Sequence, residues 1–122
     1  MTNHKPTMVL GASENKDRYS NKAVRLLKSY NHPVIAVGLK EGKIDDTDIQ
    51  THWAPKDSIH TLSVYLNPSN QPNLLDQIVE LNPKRVIFNP GAENPPMEEK
   101  LTEMNIEVLN ACTLVMLRTG MF

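Results

Sequence analysis

The sequence predicts an α/β protein in three layers, with helices on both faces of a mainly parallel sheet of five or six strands. Short apolar runs such as VIAV at 34–37 and VIF at 86–88 alternate along the chain with segments whose apolar residues recur at helical spacing. The connections between these elements are short. Because crossovers between parallel strands are right-handed, this alternation leads to a doubly wound topology.

The regular structure is expected to begin with a strand, a tight turn and a helix. The strand is Thr7–Leu10, the turn is Gly11–Ser13, and apolar residues at 23, 24, 26, 27 and 30 mark the helix. Glycine and small residues let the backbone approach a bulky anion, and the N–H groups at a helix start attract it. We therefore expect a phosphate-bearing ligand here. Small residues in a first turn also serve packing, and this stretch alone leaves that alternative open.

A second strand, Val34–Val37, ends at Gly38. Its uninterrupted apolar run is typical of a parallel strand that is covered on both faces. The following segment, 39–59, is polar and rich in turn residues. It predicts at most one short edge strand, near Ile49–Trp53.

The second half of the chain repeats the strand and helix pattern. Three strands are expected, at Thr61–Leu66, Arg85–Phe88 and Ile106–Leu109. Each precedes a helix: one opened by Pro72, one capped by Asn94 with Met97, Leu101 and Met104 on its buried face, and one at Cys112–Arg118.

Composition limits the class of protein. A chain of 122 residues fits one domain, 1–122, and its 13 basic and 14 acidic residues form no positive stripe, which argues against a nucleic-acid partner. The apolar runs are too short to cross a membrane, and the start lacks a signal-peptide pattern, so we expect a cytoplasmic protein. The single cysteine and the four histidines stand at no metal-ligand spacing, and no metal is expected.

Small and amide-bearing residues follow the predicted strands. They are Gly11–Ser13, Gly38, Asn67–Pro68, Asn89–Gly91 and Asn110–Cys112. Parallel strands bring these positions to one edge of the sheet, where open α/β proteins bind ligands at the switch point of the strand order. Such residues are also ordinary in loops, so the pattern favours a ligand site without requiring one.

Lys40 narrows the choice of ligand. A dinucleotide fingerprint would show three glycines in the first turn and an acid after the second strand, whereas this chain has GASENK and Lys40. A cation there suits a phosphate on the adenosine ribose, as in NADP or coenzyme A, and works against NAD. A solvated loop lysine is the alternative reading.

Four segments carry a family resemblance: VLGASENKDRYS, PVIAVGLKEGKI, VIFNPGAENP and NACTLVMLRTG. They resemble stand-alone coenzyme A-binding proteins related to the amino-terminal domain of succinyl-CoA synthetase α chains and ADP-forming acyl-CoA synthetases. The resemblance runs from Thr7 to Phe122 and implies a Rossmann-like fold that binds coenzyme A or an acyl-CoA. The implied cofactor site comprises Gly11, Ala12, Ser13, Asn15, Tyr19 and Ser20 near the phosphates, Val37, Gly38 and Lys40 around the adenosine, and Tyr65, Leu66, Asn67, Asn89, Pro90 and Gly91 along the crevice.

The resemblance also suggests which residues would bind each phosphate group. Amides of Ala12–Asn15 and the Ser13 hydroxyl would bond the pyrophosphate, and Lys40 would meet the 3′-phosphate. In the larger synthetases a phosphohistidine of a following domain transfers the acyl group. Nothing in these 122 residues replaces it, so we expect a non-catalytic binding module with no catalytic residues and not an enzyme.

Some readings stay open. Cys112 could be a reactive thiol at a helix start or a small buried residue, and Tyr65 could stack on adenine or only pack. A small NADP-dependent oxidoreductase and a scaffold with a vestigial nucleotide site are the alternative functions; a receiver-type signalling domain would need acids where this chain has Ser13 and Asn67. The apolar tail of Met121 and Phe122 could dock on the domain or on a second subunit, so a homodimer or a protein partner is possible.

Overall fold

The computed structural model describes residues 4–71 and 73–122 and shows a seven-stranded sheet within them. The strands are β1 (Thr7–Leu10), β2 (Val34–Val37), β3 (Gly42–Ile44), β4 (Thr47–Gln50), β5 (Thr61–Val64), β6 (Arg85–Phe88) and β7 (Glu107–Asn110). The helices are α1 (Tyr19–Ser29), α2 (Leu74–Leu81), α3 (Pro95–Glu103) and α4 (Thr113–Arg118), with a 3₁₀ turn at Pro68–Asn70.

The strand order is β3-β4-β2-β1-β5-β6-β7, and every neighbouring pair is parallel except β3 with β4. The chain moves outward from β1 through β2 to the β3–β4 hairpin and then returns to β5 on the other side of β1. The order therefore reverses at β1, as in doubly wound sheets. The predicted α/β fold of Rossmann type is confirmed.

The strand count exceeds the prediction of five or six because segment 39–59 folds as the β3–β4 hairpin. Ile44 and Ile49 are its inward-facing residues and are almost fully buried. The turn between the strands contains Asp45 at a φ of 53°, a left-handed conformation that aspartate tolerates. Each of these short strands contains only one apolar residue, so neither shows the alternating pattern by which a strand is recognised in sequence.

One face of the sheet packs against α2 and α3. Met8 and Phe88 have no exposed surface and belong to a cluster with Ile78 of α2 and Leu101 of α3. Burying a side chain of this size contributes about 1.5–3 kcal/mol. This cluster is the larger part of the core.

The opposite face packs against α1 and α4. Val9, the neighbour of Met8 in β1, points to this side and meets Leu27 of α1 and Leu117 of α4. Successive residues of β1 thus enter different layers, which is why all four are apolar or buried.

The helix boundaries follow local signals with small shifts. Asn94 caps α3 as predicted: its Oδ1 accepts the Met97 N–H at 3.4 Å, while its own N–H donates to Glu98 at 2.7 Å. Met104, expected on the buried face, is half exposed because α3 ends one residue before it. The predicted helix start at Pro72 lies outside the described residues, and α2 begins at Leu74.

Candidate functional site

A cleft opens at the carboxyl ends of β1, β2 and β5, where the strand order reverses. Its main cavity has a volume of about 620 Å³. It is lined by Gly11, Ala12, Ser13, Glu14, Arg18, Leu39, Lys40, Glu41, Ile49, Tyr65, Leu66, Asn67 and Asn70. Seven of the fifteen predicted site residues are in that lining: Gly11, Ala12, Ser13, Lys40, Tyr65, Leu66 and Asn67.

Two glycines let the loops beside the cleft approach one another. Gly11 has a φ of 96°, and a β-carbon on it would lie 3.3 Å from Cβ of Tyr65. A β-carbon on Gly38 would lie 2.5 Å from the carbonyl oxygen of Ala12, which is an impossible contact. The turns after β1, β2 and β5 therefore meet backbone to backbone, as a site that cradles a large anion requires.

The first turn uses part of its own hydrogen-bonding capacity. The N–H groups of Gly11 and Ala12 both donate to the Val37 carbonyl at 2.9 Å. The Ala12 amide, which we expected to bond the pyrophosphate, therefore already has an acceptor within the protein. The Asn15 N–H donates to the Ser13 hydroxyl oxygen at 3.1 Å. Within residues 4–71 and 73–122, the N–H groups of Ser13 and Glu14 have no acceptor. These two amides and the Ser13 O–H are the donors that remain.

Two cations line the cleft. Lys40 is exposed and lines this cavity; its contact with a 3′-phosphate stays a prediction. Arg18, the residue just before α1, lines the same cavity and was not predicted. The signal that could have revealed it is a positive side chain at a helix N-terminus, where the helix dipole disfavours one.

Glu14 connects the cleft to the β3–β4 hairpin. One of its carboxylate oxygens accepts the Lys43 N–H at 2.9 Å. A β-carbon on Gly42 would lie 2.6 Å from the Glu14 carboxyl carbon, so a larger residue there would displace the Glu14 side chain from this position. The hairpin thereby becomes a wall of the site, which the sequence did not predict.

A second cavity of about 210 Å³ adjoins the first and shares Gly11, Leu39, Leu66 and Asn70 with it. Its other walls are Leu10, Val37, Gly38, Thr51, Trp53, Gln71, Leu74 and Gln77. The surface is mostly apolar, with amide side chains at the edge. Leu39 stands between the two cavities with 96% of its side chain exposed.

Three predicted phosphate-site residues flank the cleft without lining either of these cavities. Asn15 is exposed. Tyr19 is 67% exposed, with the Lys22 ammonium 5.5 Å from its ring centre. Ser20 is buried in the first turn of α1.

Asn89 lies beneath the carboxyl edge and is fully engaged within the protein. Its Nδ2 donates to the Ser63 hydroxyl and to the Val64 carbonyl, both at 2.9 Å, and its Oδ1 accepts the Thr113 N–H at 2.9 Å. Only 1% of the residue is exposed. These bonds join β5, β6 and α4, so the Asn89 side chain has a structural role here. Contact of Asn89 with a ligand along the crevice stays a prediction.

Pro90 and Gly91 are exposed at the top of β6 and do not line the two cavities. The nearby edge is closed by Gln71, which donates to the carbonyls of Leu66 at 2.7 Å and Ala92 at 3.1 Å and accepts from Asn94 at 2.9 Å. The open part of the edge is consequently the β2–β1–β5 end. Contact of Pro90 and Gly91 with a ligand stays a prediction.

Tyr65 lines the cleft, and its side chain packs against the core cluster on the α1 side of the sheet. The hydroxyl is buried and has no hydrogen-bond partner in the part of the chain that the structure describes. Burial raises the pKa of Tyr65 to about 12. The phenol is therefore neutral near pH 7 and a poor proton donor there.

Cys112 is half-buried and lies just before α4. Its carbonyl accepts the Met116 N–H at 2.9 Å and so caps the helix.

Two structural surveys of the described ranges bear on function class. No helix there is long and apolar enough to cross a membrane. The same residues bring no three histidine, cysteine or acidic side chains together in a metal-ligand group. The cytoplasmic location stays a prediction.

Comparisons with known proteins agree with this architecture. The family model described as "CoA binding domain" matches residues 5–118. A crystal structure of an uncharacterized protein is 42% identical, with a TM-score of 0.94 over 99% of this chain and 100% of that one. Proteins of Thermus thermophilus (24% identity, TM-score 0.81, 98% and 91% covered) and Pyrococcus horikoshii OT3 (20%, 0.82, 92% and 80%) share the fold. Among curated proteins none matches.

Proposed function

This chain belongs to the CoA binding domain family, and from that premise we propose that it binds coenzyme A or an acyl-CoA without catalysing a reaction on it. We also propose that the chain is related to the amino-terminal domain of succinyl-CoA synthetase α chains and that it is located in the cytoplasm. The observation that carries it is the lining of the main cavity, which has Ser13, Glu14 and Arg18 near the first turn and Lys40 past the end of β2.

The pyrophosphate fits the first turn. The N–H groups of Ser13 and Glu14 and the Ser13 O–H lie in the loop between β1 and α1, and the two amides have no acceptor within residues 4–71 and 73–122. Arg18 adds a full positive charge on the same cavity. Together they supply neutral donors and one guanidinium, which suits a diphosphate.

The 3′-phosphate fits Lys40, which stands past the end of β2 on the same cavity. A lysine ammonium acts as a point charge and binds a terminal phosphate well. The adjoining 210 Å³ cavity suits the adenine base, since Val37, Leu66 and Trp53 supply apolar walls and Gln71 lies at the edge.

A binding role without chemistry is supported by the titratable groups near the cleft. Tyr65 stays protonated, with a pKa of about 12, and the Glu14 carboxylate already accepts a backbone N–H of the hairpin. Neither is arranged as a general acid or base. We therefore propose that the protein holds or presents the cofactor.

The test is thermal stabilisation of the purified protein by coenzyme A, dephospho-CoA, NADP and NAD. A ligand at one hundred times its dissociation constant raises the free energy of unfolding by about 2.7 kcal/mol. We expect the largest shift with coenzyme A, a smaller one with dephospho-CoA and the smallest with NAD. A larger shift with NADP, or none with millimolar coenzyme A, would contradict the proposal.

A further inference from the structure

Asn21, in the first turn of α1, is 1% exposed and lines neither cavity. Its Nδ2 donates to the Ser13 carbonyl at 2.8 Å, across eight residues of chain. Its Oδ1 accepts from Nε of Arg25 at 2.8 Å. A buried polar side chain thus joins the helix to the turn that we propose as the pyrophosphate site.

Arg25 determines how the Asn21 amide is oriented. A guanidinium has only donors, so the group that faces Arg25 must be the amide oxygen, and the amide nitrogen then faces Ser13. Arg25 also donates from Nη2 to the Lys16 carbonyl at 3.4 Å. The two side chains therefore hold both ends of the segment 13–16.

Because the peptide bond is planar, the hydrogen bond from Asn21 to the Ser13 carbonyl also fixes the direction of the Glu14 N–H. The Ser13 carbonyl and the Glu14 N–H belong to one trans peptide unit and point in opposite directions. Asn21 draws the carbonyl toward α1, so the Glu14 N–H points away from α1. Glu14 lines the main cavity, and its N–H is one of the two amides without an acceptor in the described chain.

We propose that Asn21 is a positioning residue that aims the Glu14 N–H at the diphosphate of the ligand, and that Arg25 keeps Asn21 in the required orientation. The inference rests on the proposed function for the identity of the ligand, but the order of the segment 13–16 depends on Asn21 with or without a ligand.

The first experiment compares wild type with Asn21→Ala and measures dissociation constants for coenzyme A, dephospho-CoA and adenosine 3′-phosphate. The first two ligands contain the diphosphate and the third lacks it. Loss of one aligned hydrogen bond to a charged acceptor predicts about a tenfold weaker affinity for the first two, by equal factors. The affinity for adenosine 3′-phosphate should stay within twofold. Equal weakening of all three ligands, or of none, would overturn the inference.

A second pair of variants covers the case in which Asn21→Ala fails to fold. Arg25→Met should weaken coenzyme A and dephospho-CoA equally, by about threefold to tenfold. Lys28→Met removes the same charge from α1 at a lysine that instead contacts Asp46 and Thr47 of the hairpin turn. It should leave all three affinities within twofold, and a loss equal to that of Arg25→Met would count against Arg25.

Backbone order parameters of the unliganded protein separate this inference from the proposed function. Rigid backbone has values of about 0.85 and flexible backbone values below about 0.6. We expect lower values at 13–16 in Asn21→Ala, or in Arg25→Met, and no change in Lys28→Met. Wild type that fails to bind coenzyme A would refute the proposed function, whereas unchanged order parameters would refute the role of Asn21.

Discussion

The α-carbon of Gly38 faces the carbonyl oxygen of Ala12 so closely that a β-carbon on Gly38 would lie 2.5 Å from that oxygen. The Val37 carbonyl, one residue earlier, accepts the N–H groups of both Gly11 and Ala12. The end of β2 therefore holds the first turn by backbone contacts alone. These backbone contacts form one wall of the cleft.

Replacing Gly38 by alanine should force the first turn away from β2. We expect a loss of about 1–3 kcal/mol in the free energy of unfolding, as for other overpacked sites, together with weaker binding of coenzyme A. Urea unfolding and calorimetric titration measure the two effects. Gly120→Ala is the control: its φ is 75° and its β-carbon would meet nothing within 4 Å, so only the cost of a positive φ applies and ligand affinity should not change. Wild-type stability and affinity in Gly38→Ala would show that the turn can move freely.

Replacing Lys40 by alanine should weaken coenzyme A by about tenfold, the effect of losing one charge-assisted hydrogen bond. Dephospho-CoA lacks the 3′-phosphate, so its dissociation constant should change by less than twofold. Lys100→Ala, which removes an exposed lysine of α3, should change neither constant. Equal losses for both ligands in Lys40→Ala would mean that Lys40 does not contact the 3′-phosphate.

Asn89→Ala should destabilise the fold by about 2–3 kcal/mol, because it leaves buried groups such as the Thr113 N–H without partners. The coenzyme A affinity of the folded variant should stay within twofold of wild type. Denaturant unfolding and titration at a temperature where the variant is folded test both statements. Unchanged stability with reduced affinity would instead indicate that Asn89 contacts the ligand.

Tyr65→Phe should not destabilise the protein near pH 7, since it removes a buried hydroxyl without a hydrogen-bond partner in the described chain. The pKa of Tyr65 rises from 10.0 to about 12 in the folded state, chiefly through burial. Between these pH values the unfolded chain releases a proton that the folded chain keeps, so stability falls as pH rises. The phenylalanine variant should lose that part of the slope. A loss of more than about 1 kcal/mol at pH 7 would indicate a hydrogen bond to the hydroxyl.

Stability should also fall as pH drops below about 6.5, because the pKa values of His32 and His60 in the folded protein lie below the ordinary histidine value of 6.5. Burial is the largest cause of the lowered pKa in both histidines. The positive charges of Lys5 and Arg85 lower both pKa values further because they repel the protonated rings. At these pH values the two histidines are protonated to a greater extent in the unfolded chain than in the folded chain, which favours unfolding. The double variant His32→Gln, His60→Gln should show a smaller change in urea midpoint between pH 7.5 and 5. Identical slopes in both proteins would contradict the assignment.

The position of Phe122 is a feature that the sequence left open. Its ring lies 4.4 Å from the Arg85 guanidinium and 5.0 Å from the His32 ring, so in this structure it packs on its own domain. The apolar tail predicted contact with the domain or with a second subunit, and no local pattern distinguishes these. Whether a homodimer forms stays a prediction.

The sequence by itself determined the elements whose cause is local. Thr7–Leu10 and Val34–Val37 are recognisable because both faces of these strands are buried, and Asn94 is recognisable as a cap because its partner, the Met97 N–H, is three residues away. The turn at Gly11 belongs to the same class.

Only the tertiary structure decided which side chains face the cleft. Asn89 and Lys40 both follow strands, yet Asn89 bonds to Thr113, 24 residues away, and turns inward, whereas Lys40 lines the cavity. Arg18 joins the cleft because β2 and the hairpin return to the first turn. A local pattern encodes periodicity and turns, but the direction of a polar side chain depends on partners that folding brings from distant segments.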